Sequence, residues 1–200
     1  MKSAVLILIA WGAAQAAPFS HKLHLKLVAQ CTTCHAAAET STKPDDNLLP
    51  AKAACVKCHA DVTISGMSPT NLAHFSHSQH LKMGNVAPVI AAAIDKKDYL
   101  QPPGDIRRHL ETKNACEACH RGLAESDAVS RVNMPNMADC LVCHNQIEVP
   151  FSCEKCHAKN ADLKPASHVP AFHDTHSKPA VDKTGCAVCH GRTFRCLGCH

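Results

Sequence analysis

Fourteen cysteines fall into seven copies of one five-residue pattern, Cys-x-x-Cys-His, and none is left over. The copies are Cys31-Cys34-His35, Cys55-Cys58-His59, Cys116-Cys119-His120, Cys140-Cys143-His144, Cys153-Cys156-His157, Cys186-Cys189-His190 and Cys196-Cys199-His200. Paired thiols at this spacing serve three chemistries. Zinc sites use them as thiolate hairpins but do not need a histidine at the next position. A disulfide framework accounts for an even cysteine count and also leaves the histidines unexplained. Covalent haem attachment uses all three residues, because the thiols form thioethers to the porphyrin and the adjacent imidazole ligates the iron. With 16 His in 200 residues, a given position is His about 8% of the time, so seven in seven by accident is on the order of 10⁻⁸. The expected cofactor is haem c, seven per chain and covalently held.

Such attachment takes place outside the cytoplasm, and the N-terminus reads accordingly. Lys2 is a short positive region, Ala4 to Trp11 is apolar, and Ala14-Gln15-Ala16 is a small-x-small site with expected cleavage after Ala16. The apolar run is well short of the ~20 residues that span a bilayer. Residues 1–16 are therefore expected to be a signal peptide. The mature chain should be exported, periplasmic or at the cell surface, with no integral membrane anchor.

Removing 16 residues from 200 leaves 184, about 26 residues for each haem. Aromatic residues make up 4% of the chain, and no stretch alternates as a strand or repeats as a long amphipathic helix. A conventional side-chain core is not expected to fit, so stacked haems should form the core. Twelve prolines and the runs Ser41–Pro50, Ser65–Asn71 and Asn160–Pro170 read as irregular connections. Short helices are expected near Leu23–Ala29, Pro88–Leu100 and Ile106–Lys113. The expected fold class is a small multihaem cytochrome c fold, mostly loops with a few short α-helices and almost no strand.

Nine histidines lie outside the motifs, and six of them form three pairs at the same spacing: His21 and His24, His77 and His80, His173 and His176. The i, i+3 spacing sets both imidazoles on one side of a helical turn, where each can reach a different metal. A phenylalanine precedes each pair: Phe19, Phe75 and Phe172. These pairs divide the mature chain into a two-haem segment over 17–72, a three-haem segment over 73–160 and a two-haem segment over 161–200. The middle segment has one motif more than its pair has histidines, and it contains His109 shortly before Cys116. His74 and His168 are then spare; each lies just N-terminal to a pair and either substitutes for a pair member or is solvent-exposed, the second being the expectation.

At these residues the chain resembles the class III multihaem cytochromes c, the small low-potential carriers with three or four haems. In that family a Phe-x-His-x-x-His segment supplies the sixth ligands of two haems, and the following Cys-x-x-Cys-His sites supply the fifth. Phe19 to His35 is the closest stretch, and the likeness in motif and spacing recurs across most of the mature chain. It implies bis-histidine ligation throughout, with His109 supplying the distal ligand that the middle segment otherwise lacks. The middle segment departs from the family pattern by an insertion that includes Ala91 to Asp105.

Saturated iron has no position for a substrate, and histidine pairs lack the Met ligand that raises potential. The expected function is electron transfer along a haem chain, with no catalytic residue. The alternative, a multihaem nitrite or hydroxylamine reductase, needs one open haem and a pocket around it. Charge excludes a nucleic-acid partner. The sequence carries +4, loss of Lys2 with the leader gives +3, and seven ferric haems with two propionates each bring the total to about −4. Expected partners are other redox proteins, whether cytochromes, a quinol dehydrogenase or an outer-membrane conduit, and self-assembly is a further option.

Overall fold

The computed structural model describes residues 19–63, 70–144, 153–175 and 186–191. The leader, the seventh motif (Cys196, Cys199, His200) and His176 lie outside the described residues, and the side chain of His173 is likewise not described. The protein is mostly loop, with short helices and, among the described residues, no strand; Leu72 and His157 form an isolated antiparallel bridge. No helix among them is long and apolar enough to cross a membrane.

The α-helices are α1 (His21–His24), α2 (Lys52–Cys55), α3 (His77–Leu81), α4 (Ala87–Asp95), α5 (Met137–Leu141), α6 (Phe172–Thr175) and α7 (Ala187–His190). Most are single turns. Ser20 and Ser76, both with extended backbone, cap α1 and α3 by accepting the N–H of Leu23 and Gln79 at 3.3 Å each. The first helix therefore starts two residues before the expected Leu23. The longest, α4, carries Pro88 in its first turn, where a missing N–H costs nothing. It stops at Lys96 rather than Leu100 because the chain turns left-handed at Lys97 (φ 62°). There Asp98 N–H bonds Ala93 O at 2.7 Å and Lys97 N–H bonds Ile94 O at 2.9 Å, the Schellman arrangement. The helix expected over Ile106–Lys113 is instead a 3-10 helix over Gly104–His109.

A small side-chain core exists, contrary to the expectation that none fits. Ala87, Ile90 and Ala91 of α4 are buried with Tyr99, Leu110, Ala118, Ala138 and Leu141 of α5, and Val188 of α7. The insertion after His80 supplies much of it, so the stretch that departs from the carrier pattern is the stretch that packs. Among the described residues no large side chain is fully buried, which keeps the core thin.

One polar cluster runs through this core. The Asp139 carboxylate accepts from Arg121 at 2.7 and 3.0 Å, from Tyr99 Oη at 2.8 Å and from Asn136 N–H at 2.7 Å. Arg121 and Asp139 side chains are only 4% and 3% exposed, so each is the other's charge compensation. Arg121 follows His120 and Asp139 precedes Cys140, so the cluster ties the third motif to the fourth.

The three expected segments touch one another. Ser41 O accepts from Ser78 N–H (3.0 Å) and Ser76 Oγ (3.1 Å), joining the first segment to α3. Lys22 N–H bonds Ser126 O at 3.0 Å, and α5 packs on α7.

Candidate metal centre

Five motifs share one local shape. In the motifs starting at Cys31, Cys55, Cys116, Cys140 and Cys153, the first cysteine's carbonyl accepts the second cysteine's N–H at 3.1–3.3 Å and the histidine's N–H at 2.8–3.0 Å. Residues i, i+3 and i+4 of one turn lie on one side, so both thiols and the imidazole face the same way. None of the twelve described cysteines is in a disulfide. Burial first, then the neighbouring Cys31, pushes the Cys116 thiol up to about 11; burial, then Asp139, pushes Cys140 up to about 11. Neutral sulfur in such surroundings suits a thioether better than a thiolate.

The histidine pairs face these turns. His21 stands opposite His35 with ring centres 6.3 Å apart and planes within 13°, and His24 stands opposite His59 at 6.0 Å and 38°. The second pair repeats this: His77 faces His120 at 6.3 Å and 15°, and His80 faces His144 at 6.2 Å and 50°. Rings that pack on each other sit closer, as Phe19 does on His24 at 4.2 Å and Phe75 on His80 at 4.5 Å. A metal–imidazole bond is about 2.0–2.1 Å and a ring nitrogen lies about 1.1 Å from its ring centre, so two imidazoles on opposite sides of one ion have centres about 6.2–6.4 Å apart. Three of the four gaps match that length, and His24/His59 at 6.0 Å is slightly shorter. Among the described residues no group of three or more His, Cys, Asp or Glu converges as a metal site. Two imidazoles at that separation suit an iron whose other ligands would come from a planar ring, and the residues present fit a haem.

Each facing pair has one imidazole oriented by a backbone carbonyl. The Nδ1 of His35 donates to Leu48 O (2.7 Å), that of His24 to Ser20 O (2.8 Å), that of His120 to Asn133 O (3.3 Å) and that of His80 to Ser76 O (2.8 Å). A carbonyl can only accept, so Nδ1 carries the proton and Nε2 is left as the ligating atom. Nδ1 of His21 and of His77 is buried without a partner. Burial first, and then the facing imidazole, lowers the pKa of His21 and His77; burial also lowers that of His120. In all three the shift favours the neutral imidazole, the form that a metal ligand needs.

The remaining expected ligands are placed differently. His109 closes its 3-10 helix beside Gly122, whose positive φ of 67° favours glycine; a Cβ there would make only an ordinary 3.6 Å contact with His109 Cε1. Among the described residues no motif histidine stands opposite it. His157 donates from Nδ1 to Asn71 O at 3.0 Å, and exposed His74 runs alongside with its N–H on Cys156 O. His168, expected to be spare and solvent-exposed, is half-buried with its ring centre 6.3 Å from that of His190.

Sequence reasoning noted the phenylalanines but missed the serines. Phe-Ser-His-x-x-His-Leu occurs twice, at Phe19 and Phe75, and its serine both caps the helix and lends its carbonyl to the second histidine. The repeated Ser20 and Ser76 were the available signal. The third copy, Phe172-His173, lacks the serine, which is the residue between phenylalanine and histidine in the other two.

Compared with family models, curated proteins and solved structures, the chain finds no match in any of the three.

Proposed function

We propose that this chain is an exported, seven-haem c-type cytochrome of the bis-histidine, class III-like kind, an electron carrier that passes electrons along its haems between redox partner proteins. The observation that carries this reading is the doubled motif: two copies of Phe-Ser-His-x-x-His, each setting its two imidazoles opposite two different attachment histidines at 6.0–6.3 Å. When bound, haem supplies the one-electron iron couple. The protein's residues supply saturation, orientation and order.

Saturation would come from the facing pairs: a haem held between two imidazoles would have no position left for a substrate. Orientation comes from the carbonyls of Ser20, Leu48, Ser76 and Asn133. Order comes from shared elements. α1 carries the ligands facing the first and second motifs, and α3 those facing the third and fourth. Asn114, two residues before Cys116, donates from Nδ2 to Cys31 Sγ at 3.4 Å and so brings the first motif against the third. Leu141 of α5 and Val188 of α7 share the core, which brings the fourth motif toward the sixth. The spatial sequence therefore begins second, first, third, fourth, which is not the order along the chain. Haem faces packed among these turns would form the larger core that side chains do not provide.

The test is a haem count. Protein purified from a haem-maturing host should hold seven haems by pyridine haemochrome assay, resist acid-acetone extraction, and lose its first sixteen residues by intact mass. Extractable haem, or stoichiometric zinc in its place, refutes the reading.

A further inference from the structure

The ring of His168 bears the same relation to His190 as the paired histidines bear to their motifs. Its centre lies 6.3 Å from that of His190 and the two planes agree within 7°, the closest alignment of the five facing pairs. A phenylalanine covers its other face: Phe172 lies on His168 at 4.4 Å and 14°, as Phe19 lies on His24 at 4.2 Å and 24° and Phe75 on His80 at 4.5 Å and 23°. The chain order is reversed, since Phe172 follows its histidine whereas Phe19 and Phe75 precede theirs. Both partners are held in place. His168 ends a turn closed by its own N–H on Pro165 O at 2.9 Å, and His190 ends α7, whose Val188 is anchored in the core. Nδ1 of His168 lies 3.4 Å from Ser167 Oγ, leaving Nε2 for the facing side.

We propose that His168 is the sixth ligand of the haem attached at Cys186 and Cys189, opposite His190. This rests on the haem reading above and changes its ligand assignment, because the site no longer draws on the His173 and His176 pair. His173 and His176 then become available to motifs for which no facing histidine is described, those of His157 and His200 among them.

The experiment is EPR with spin quantitation on ferric His168→Ala holoprotein. Attachment depends on the cysteines, so the count stays at seven haems while one ferric haem in seven turns high-spin; added imidazole returns it to low spin. In a Cys186→Ala/Cys189→Ala background, which lacks this haem, His168→Ala leaves the spectrum unchanged. His168→Met serves if the alanine variant does not accumulate, and shows the far-red band of methionine-ligated ferric haem at one site. Seven low-spin haems in His168→Ala overturn the assignment, as does a high-spin signal that persists without Cys186 and Cys189. A parent chain without haem is a different result, since it removes the reading beneath.

Discussion

Replacing Asp139 by alanine is the most informative perturbation of the fold, because the carboxylate is the sole described anion beside a guanidinium that is 4% exposed. Removal leaves Arg121 buried and uncompensated, a change that costs about 3–5 kcal/mol. The same substitution frees Asn136 N–H at the start of α5, worth about 1 kcal/mol as a lost cap. Removing both charges together, as Arg121→Leu/Asp139→Leu, restores a neutral interior and keeps only the cap loss and some repacking, about 1–2 kcal/mol. Tyr99→Phe removes one hydrogen bond to a carboxylate that keeps its other partners, again about 1–2 kcal/mol. Pulse proteolysis of the ferric holoprotein across a urea gradient measures all three. The expected order places Asp139→Ala well below the double variant. A double variant as unstable as Asp139→Ala, or an alanine variant within about 1 kcal/mol of the parent, refutes the view that charge compensation holds the third and fourth motifs together.

Other consequences follow from single residues. Ser76→Ala removes the α3 cap and a buried bond to Ser41 O, and should cost about 1–2 kcal/mol in the same assay, more than Ser20→Ala, whose bonds are exposed. Lys97→Gly relieves a left-handed residue at the Schellman end of α4 and should stabilise by about 0.5–1 kcal/mol; a loss of stability contradicts the described turn. Ring alignment predicts two EPR classes. Sites with near-parallel imidazoles (His21/His35, His77/His120, His168/His190) should give rhombic low-spin signals, and the tilted sites (His24/His59, His80/His144) more anisotropic ones with a larger maximum g. His24→Met and His80→Met should each remove one anisotropic signal; loss of a rhombic signal instead refutes the assignment.

The attachment motifs and the i, i+3 pairs were legible because both are local: a single turn fixes which side chains share a face. Which motif each imidazole faces was not legible for α3, since α4 and other core residues separate His77 and His80 from His120 and His144 along the chain. The same core was invisible to a reading based on long periodicity, because it is assembled from single residues such as Tyr99, Leu110 and Ala118 on turns. His168 was set aside because Phe172-His173 looked like a third copy of the paired motif. The missing residue between phenylalanine and histidine changes the register, and the ring of Phe172 goes to His168 instead. Helix limits moved for local reasons, a serine cap at Ser20 and a left-handed turn at Lys97.

The central claim is that each described facing pair encloses the iron of a covalently attached haem. Low-temperature EPR of the fully oxidised protein, with spins counted against chain and haem, tests it most directly. The account predicts seven low-spin ferric haems per chain and no high-spin signal. A high-spin haem that disappears only on adding imidazole, or a chain whose motifs hold another metal, contradicts it.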